Sequence, residues 1–127
     1  MSRSEAGTRI RTTAAVRAGW AVLLLVLPEQ LLRAGSRGPV PAAAVAAARV
    51  LGVRHLLQAG ASAALPTGSV AGLGAIVDTV HAGSCVVLAA GSPRWRGVAL
   101  ADVLVEAGFA AAGWRSSSRP ASGHRWR

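Results

Sequence analysis

The strongest constraint on this chain is a pair of long apolar segments, residues 42–65 and 70–92, joined by the short turn "PTGS". The second segment is interrupted only by Asp78 and His81. As a helix it extends roughly 34 Å at 1.5 Å per residue, enough to cross the hydrocarbon core of a bilayer. A turn that short, with a proline and a glycine in it, brings two helices back antiparallel. The fold class expected is therefore all-α: a small membrane helical bundle built on a central helical hairpin.

Two further apolar segments flank the hairpin. Residues 14–32, "AAVRAGWAVLLLVLPEQLL", follow a basic leader and resemble a signal peptide. No small-x-small cleavage site follows, so the run is read as retained. Its strictly apolar core is short for a span. Residues 97–113 form the last candidate helix, near the lower length limit. The breaks "GSRGPVP" (35–41) and "SPRWR" (92–96) separate these units. Residues 1–13 and 114–127 read as disordered basic tails, and the number of spans lies between two and four.

The charge pattern supports a membrane setting. Only 15% of the residues are charged, against roughly 25% in average soluble domains. The net charge of +9 comes from arginine alone, since the chain has no lysine. The arginines bracket the apolar segments and do not form one face; Arg49 and Arg54, for instance, are about 140° apart on a helix. Nucleic acid is therefore not an expected partner. Basic flanks favour the cytoplasmic side, so the arginine-free turn is expected outside and Arg33, Arg37, Arg94 and Arg96 inside. The basic tails lie outside if both outer segments cross. They lie inside, the expected case, if those segments cross only partly or lie along the surface. Trp20, Trp95 and Trp114 lie near basic ends, as interfacial anchors do. These features imply a multi-pass protein of the cell membrane. Its partners would be the lipid bilayer and, since short helices bury little area alone, a second copy or another membrane protein.

The polar residues inside the apolar helices are the candidate site. On a 3.6-residue helix Gly74, Asp78, His81 and Cys85 fall close to one line. Gly74, Asp78 and Ala82 repeat at the four-residue spacing that lets helices approach closely. Across the turn, Arg54, His55 and Gln58 form a matching polar sector. Folding the hairpin about the turn places Asp78 level with about Leu57, and His81 level with about Arg54. An unpaired Asp or Arg at the bilayer centre costs about 2.5–3.5 kcal/mol. The expected arrangement pairs Asp78 with Arg54, with Gln58 and His81 completing the hydrogen bonds and Arg49 snorkelling to the interface. Asp102 and Glu106 share a face of the last segment, which suits a surface or groove-lining helix, or acids enclosed in a bundle.

The cluster Arg54, His55, Gln58, Asp78 and His81 has two readings: a device that fixes helix register, or a site for a proton or small ligand. His55, His81 and Asp78 lack a recognised metal-ligand spacing, and Cys85 is a lone cysteine suited to a buried thiol. No nucleophile elbow, phosphate loop, dinucleotide fingerprint or zinc-protease motif occurs. No metal, cofactor or enzymatic activity is expected on these grounds. The leading functional reading is a structural or accessory membrane protein. The alternatives are a proton- or small-ligand-handling membrane protein using Asp78, His81 and Arg54, or a soluble arginine-rich helical protein that binds anionic partners.

The stretches "LLLVLPEQLLRA", "ARVLGVRHLLQ", "GAIVDTVHAGSCVVLAA" and "SPRWRGVALADVLVEAGFAAAG" together resemble a family of small, uncharacterised actinobacterial membrane proteins. The resemblance covers residues 14–113. It is carried by Arg49, Gly52, Arg54, His55 and Gln58 on one helix and by Asp78, His81 and Ser84 on the next. It implies a membrane location and nothing about catalysis.

Overall fold

The proline- and glycine-containing breaks of the sequence become the turning points of the chain. A computed structural model describes residues 3–118 and contains α1 (Arg3–Val26), α2 (Pro28–Gly35), α3 (Ala42–Ala64), α4 (Gly68–Gly91) and α5 (Arg96–Ser117). Thr67 caps α4, its hydroxyl accepting from the Val70 N–H at 3.3 Å. Pro28 divides the apolar run 14–32. It has no N–H to donate and disfavours helical geometry at Leu27, which sits at φ −123°, ψ 37°. The axis of α2 consequently leaves that of α1 at 90°.

The first helix starts well before the apolar run. Residues 3–13, expected in a basic tail, belong to α1, and Ile10 is buried. The inward line of α1 is Ile10, Ala14, Arg17, Ala21 and Leu24, alternating steps of four and three residues. Exposed Arg9, Arg11 and Thr12 on the other faces hide that line from a hydropathy average. At the other end α5 continues to Ser117, four residues beyond the expected limit. The rest of the expected C-terminal tail, residues 119–127, lies outside the described residues.

The central hairpin is corrected by the packing. Although "PTGS" does connect them, α3 and α4 touch only sparingly; the close pairs are α4 with α5 and α1 with α3. Small residues at two positions explain the choice. A Cβ on Gly52 would lie 2.9 Å from Leu25 Cγ and 3.0 Å from the Ala21 carbonyl oxygen. One on Gly113 would lie 2.7 Å from the Ala71 oxygen and 2.8 Å from Ala75 Cβ. Both contacts require glycine for the backbones to approach. Gly74, expected to line a close contact, has ordinary room, since a Cβ there would meet only Gln58 Nε2, at 3.8 Å.

The start of α1, the 66–69 turn and the end of α5 share one end of the bundle. A partly open cleft there is lined by Ile10, Ser62, Ala71 and Ser116, among others. The α2 end is tied by the Arg37 N–H donating to the Arg94 carbonyl at 3.1 Å and by Arg94 donating to the Pro39 carbonyl. Any membrane crossed by the whole bundle therefore has the turn on the same side as Arg9, Arg11 and Arg115.

Many branched apolar side chains lie on the surface of the bundle. Val22, Leu23, Val50, Leu57, Leu73, Val80, Val87 and Leu104 are exposed, whereas buried apolar positions are largely alanine. Arg17, His55, Asp78 and Glu106 are buried. Among the described residues α4 and α5 are long and apolar enough to cross a membrane, and there are up to three candidate spans if α1 and α2 count as one bent span.

Candidate functional site

Four helices each contribute a charged side chain to the middle of the bundle. Arg17 comes from α1, Arg54 with His55 and Gln58 from α3, Asp78 from α4 and Glu106 from α5. The Asp78, Glu106 and His55 side chains are fully enclosed, each at 0% exposure. Isolated charges could not persist there; each needs an opposite charge and hydrogen bonds.

The pairing meets that requirement. Arg17 grips Asp78 with both arms of its guanidinium, Nη1 to Oδ1 at 2.9 Å and Nη2 to Oδ2 at 2.5 Å. Bidentate geometry of this kind gives the strongest carboxylate recognition. Gln58 bridges the same pair, its Oε1 accepting from Arg17 at 3.1 Å and its Nε2 donating to Asp78 Oδ1 at 3.1 Å. The Phe109 ring lies beneath the Arg17 guanidinium, 4.2 Å from Cζ to the centroid, adding a cation–π contact. Arg54 donates to Glu106 Oε1 and stands 3.9 Å from Asp78 Oδ1.

His55 connects the two ion pairs. Its Nδ1 faces Arg17 Nη1 at 3.3 Å, and its Nε2 faces Glu106 Oε1 at 2.9 Å. Arg54 Nη2 also faces Nε2, at 3.3 Å, so each ring nitrogen meets a guanidinium and Nε2 stands between Arg54 and Glu106. Glu106 Oε2 and Arg54 Nε remain buried without a hydrogen-bond partner among the described residues. A network built only to hold helices would be expected to satisfy these atoms.

A second cluster lies about one turn further along α4 and α5. His81 Nε2 is 2.8 Å from Asp102 Oδ2, and the Cys85 thiol donates to the same oxygen at 3.3 Å. Cys85 Sγ and His81 Nε2 are 3.5 Å apart. This cluster is partly open, with the His81 side chain 30% and the Asp102 side chain 13% exposed.

Of the residues singled out in the sequence, Arg54, His55, Gln58 and Asp78 meet in the first cluster, and Gln58 contacts Asp78 as expected. One expectation holds in weaker form, since Arg54 forms a long ion pair with Asp78 at 3.9 Å, and one fails. The main partner of Asp78 is Arg17, with Arg54 turned to Glu106; His81 pairs with Asp102 and Cys85, away from Asp78. Both departures follow from the helix pairing, because α1 packs on α3 and α5 on α4. Arg17 was overlooked as a flank charge. Its place in the four–three inward line was the signal that could have found it.

The expectation of no metal-ligand set and no enzymatic activity is also corrected. Ligand-type atoms of His55, Asp78 and Glu106 lie within 4.8 Å of one another, and so do those of His81, Cys85 and Asp102. Side chains able to bind a metal or move a proton are thus gathered inside the bundle. Tertiary contact, not sequence spacing, assembles both groups. In comparisons with known proteins, the chain matches no protein family, no curated protein and no solved structure.

Proposed function

We propose that this chain is a multi-helical membrane protein whose inner cluster of Arg17, Arg54, His55, Gln58, Asp78 and Glu106 handles a cation, the proton being the one its groups fit. The carrying observation is the fully buried Glu106, whose Oε1 serves Arg54 and His55 while Oε2 is unpartnered among the described residues. One ion pair is enough to set helix register. Two pairs with a histidine and a glutamine between them add desolvation cost that apolar side chains would avoid. Their retention supports a working role over a purely structural one.

Access supports the same reading. The cleft at the terminal end of the bundle has a volume of about 30 Å³ and is lined by Thr13, Ser62 and Ser116 as well as Arg17 and Gln58. That exceeds the roughly 10–15 Å³ needed by one water molecule. Water entering there meets Arg17 and Gln58, which contact Asp78 directly. The membrane setting rests on the exposed branched side chains and on the lengths of α4 and α5. The resemblance to small actinobacterial membrane proteins belongs to the same proposal.

The test is proton flux in lipid vesicles that hold a trapped pH indicator. The protein is expected to dissipate an imposed pH gradient faster than empty vesicles, and Glu106→Gln to return the rate to their level. A wild-type rate equal to that of empty vesicles, or a Glu106→Gln rate equal to wild type, defeats the proposal.

A further inference from the structure

The second cluster differs from the first in the chemistry it offers. We infer that His81, Cys85 and Asp102 form a binding site for one divalent transition-metal ion of the zinc type, through Nε2, Sγ and Oδ2. The three donors are nitrogen, sulfur and oxygen, a set that suits zinc or cobalt and disfavours magnesium and calcium, which take oxygen ligands.

The spacing is close to what such an ion needs. Metal–ligand bonds of about 2.0–2.3 Å in a tetrahedron separate the ligand atoms by about 3.4–3.6 Å. The sulfur–nitrogen distance is already 3.5 Å and the sulfur–oxygen distance 3.3 Å. The sulfur–oxygen distance must open by about 0.2 Å and the nitrogen–oxygen distance, 2.8 Å, by about 0.6 Å. Exchanging the His81–Asp102 hydrogen bond for two bonds to an ion makes that change. His81 and Cys85 are four residues apart on α4 and therefore neighbours on one face, while Asp102 reaches across from α5.

Charge selects this cluster over the inner one. On binding, the Cys85 thiol releases its proton to solvent as the sulfur–metal bond forms, and the proton held between His81 Nε2 and Asp102 Oδ2 moves to Nδ1 or to solvent, freeing both lone pairs for the ion. Thiolate and Asp102 carboxylate together then neutralise a dication, which lowers the cost of holding it among apolar helices. In the inner cluster Asp78 and Glu106 are already engaged by Arg17 and Arg54, so a dication there would add two uncompensated charges beside two guanidinium groups. Three protein ligands leave a fourth position for water or a substrate atom, the pattern of an open metal site.

Cobalt(II) titration of the full chain in detergent micelles reads the site directly. One equivalent is expected to bind with a near-ultraviolet thiolate-to-cobalt band, and zinc(II) to displace it. Cys85→Ser should abolish the band. Asp102→Asn and His81→Gln should each weaken uptake at least tenfold, with the helical circular dichroism unchanged. Uptake far below one equivalent, a band that survives Cys85→Ser, or full affinity in both other variants would overturn the assignment. Proton flux reads the inner cluster and cobalt binding the outer one, so either reading can fail while the other stands.

Discussion

The two polar clusters are neighbours along the same helices, yet they are held by different physics. The inner cluster draws on four helices, is closed to solvent at its carboxylates, and matches two guanidinium groups with two carboxylates. The outer cluster joins only α4 and α5, is partly exposed, and contains no arginine in its hydrogen bonds. A buried charge network becomes structural whatever else it does, because removing one member strands another. A half-open triad of His, Cys and Asp has no such hold on the fold. Chemistry can therefore be changed cheaply in the outer cluster and only at a cost in stability in the inner one.

Substitutions test that contrast. Asp78→Leu strands the Arg17 guanidinium and should cost about 3–5 kcal/mol, read as a lower denaturation midpoint in detergent. Adding Arg17→Leu should recover most of the loss. A single variant as stable as wild type would mean that the inner cluster does not hold the helices. Glu106→Gln removes the charge facing Arg54 and His55, and a loss of about 1.5–3 kcal/mol is expected in the same measurement.

Overpacking separates the two halves of the bundle. Gly52→Val and Gly113→Val should each cost about 1–3 kcal/mol, because the added carbons meet backbone and packed side chains. Gly52→Val wedges α1 from α3 and should impair proton flux more than cobalt binding. Gly113→Val parts α4 from α5, which carry groups of both clusters, and should impair both assays. Equal effects of both variants on both assays would show that the clusters act as one unit. The smallest effect is expected for Asp102→Asn, under about 1 kcal/mol for a partly exposed pair. A loss as large as that of Glu106→Gln would place Asp102 in the inner network.

Much of this organisation is legible in the residues. The breaks at 35–41, 66–69 and 92–96 follow from proline and glycine, and the four long helices sit between them. Arg54, His55, Gln58 and Asp78 are recognisable as a buried set because each is costly in an apolar helix unless it meets the others. His81 and Cys85 are visible as one face of α4 from their spacing. Arg17 is harder to see, since a short view of the sequence places it at the edge of an apolar run. Only the longer four–three spacing from Ile10 to Leu24 turns it inward.

By itself the sequence determined where helices begin to break, which residues are too polar for lipid, and that small side chains would mediate close packing. These are local or compositional facts, set by backbone geometry and transfer cost. The tertiary structure alone decided that α1 pairs with α3 and α4 with α5, and hence that Asp78 meets Arg17 while His81 meets Asp102. The reason is degeneracy. Alanine- and glycine-rich faces on several helices offer nearly equivalent contacts, and the choice among them depends on which backbones can approach at Gly52 and Gly113 while every buried charge still finds a partner.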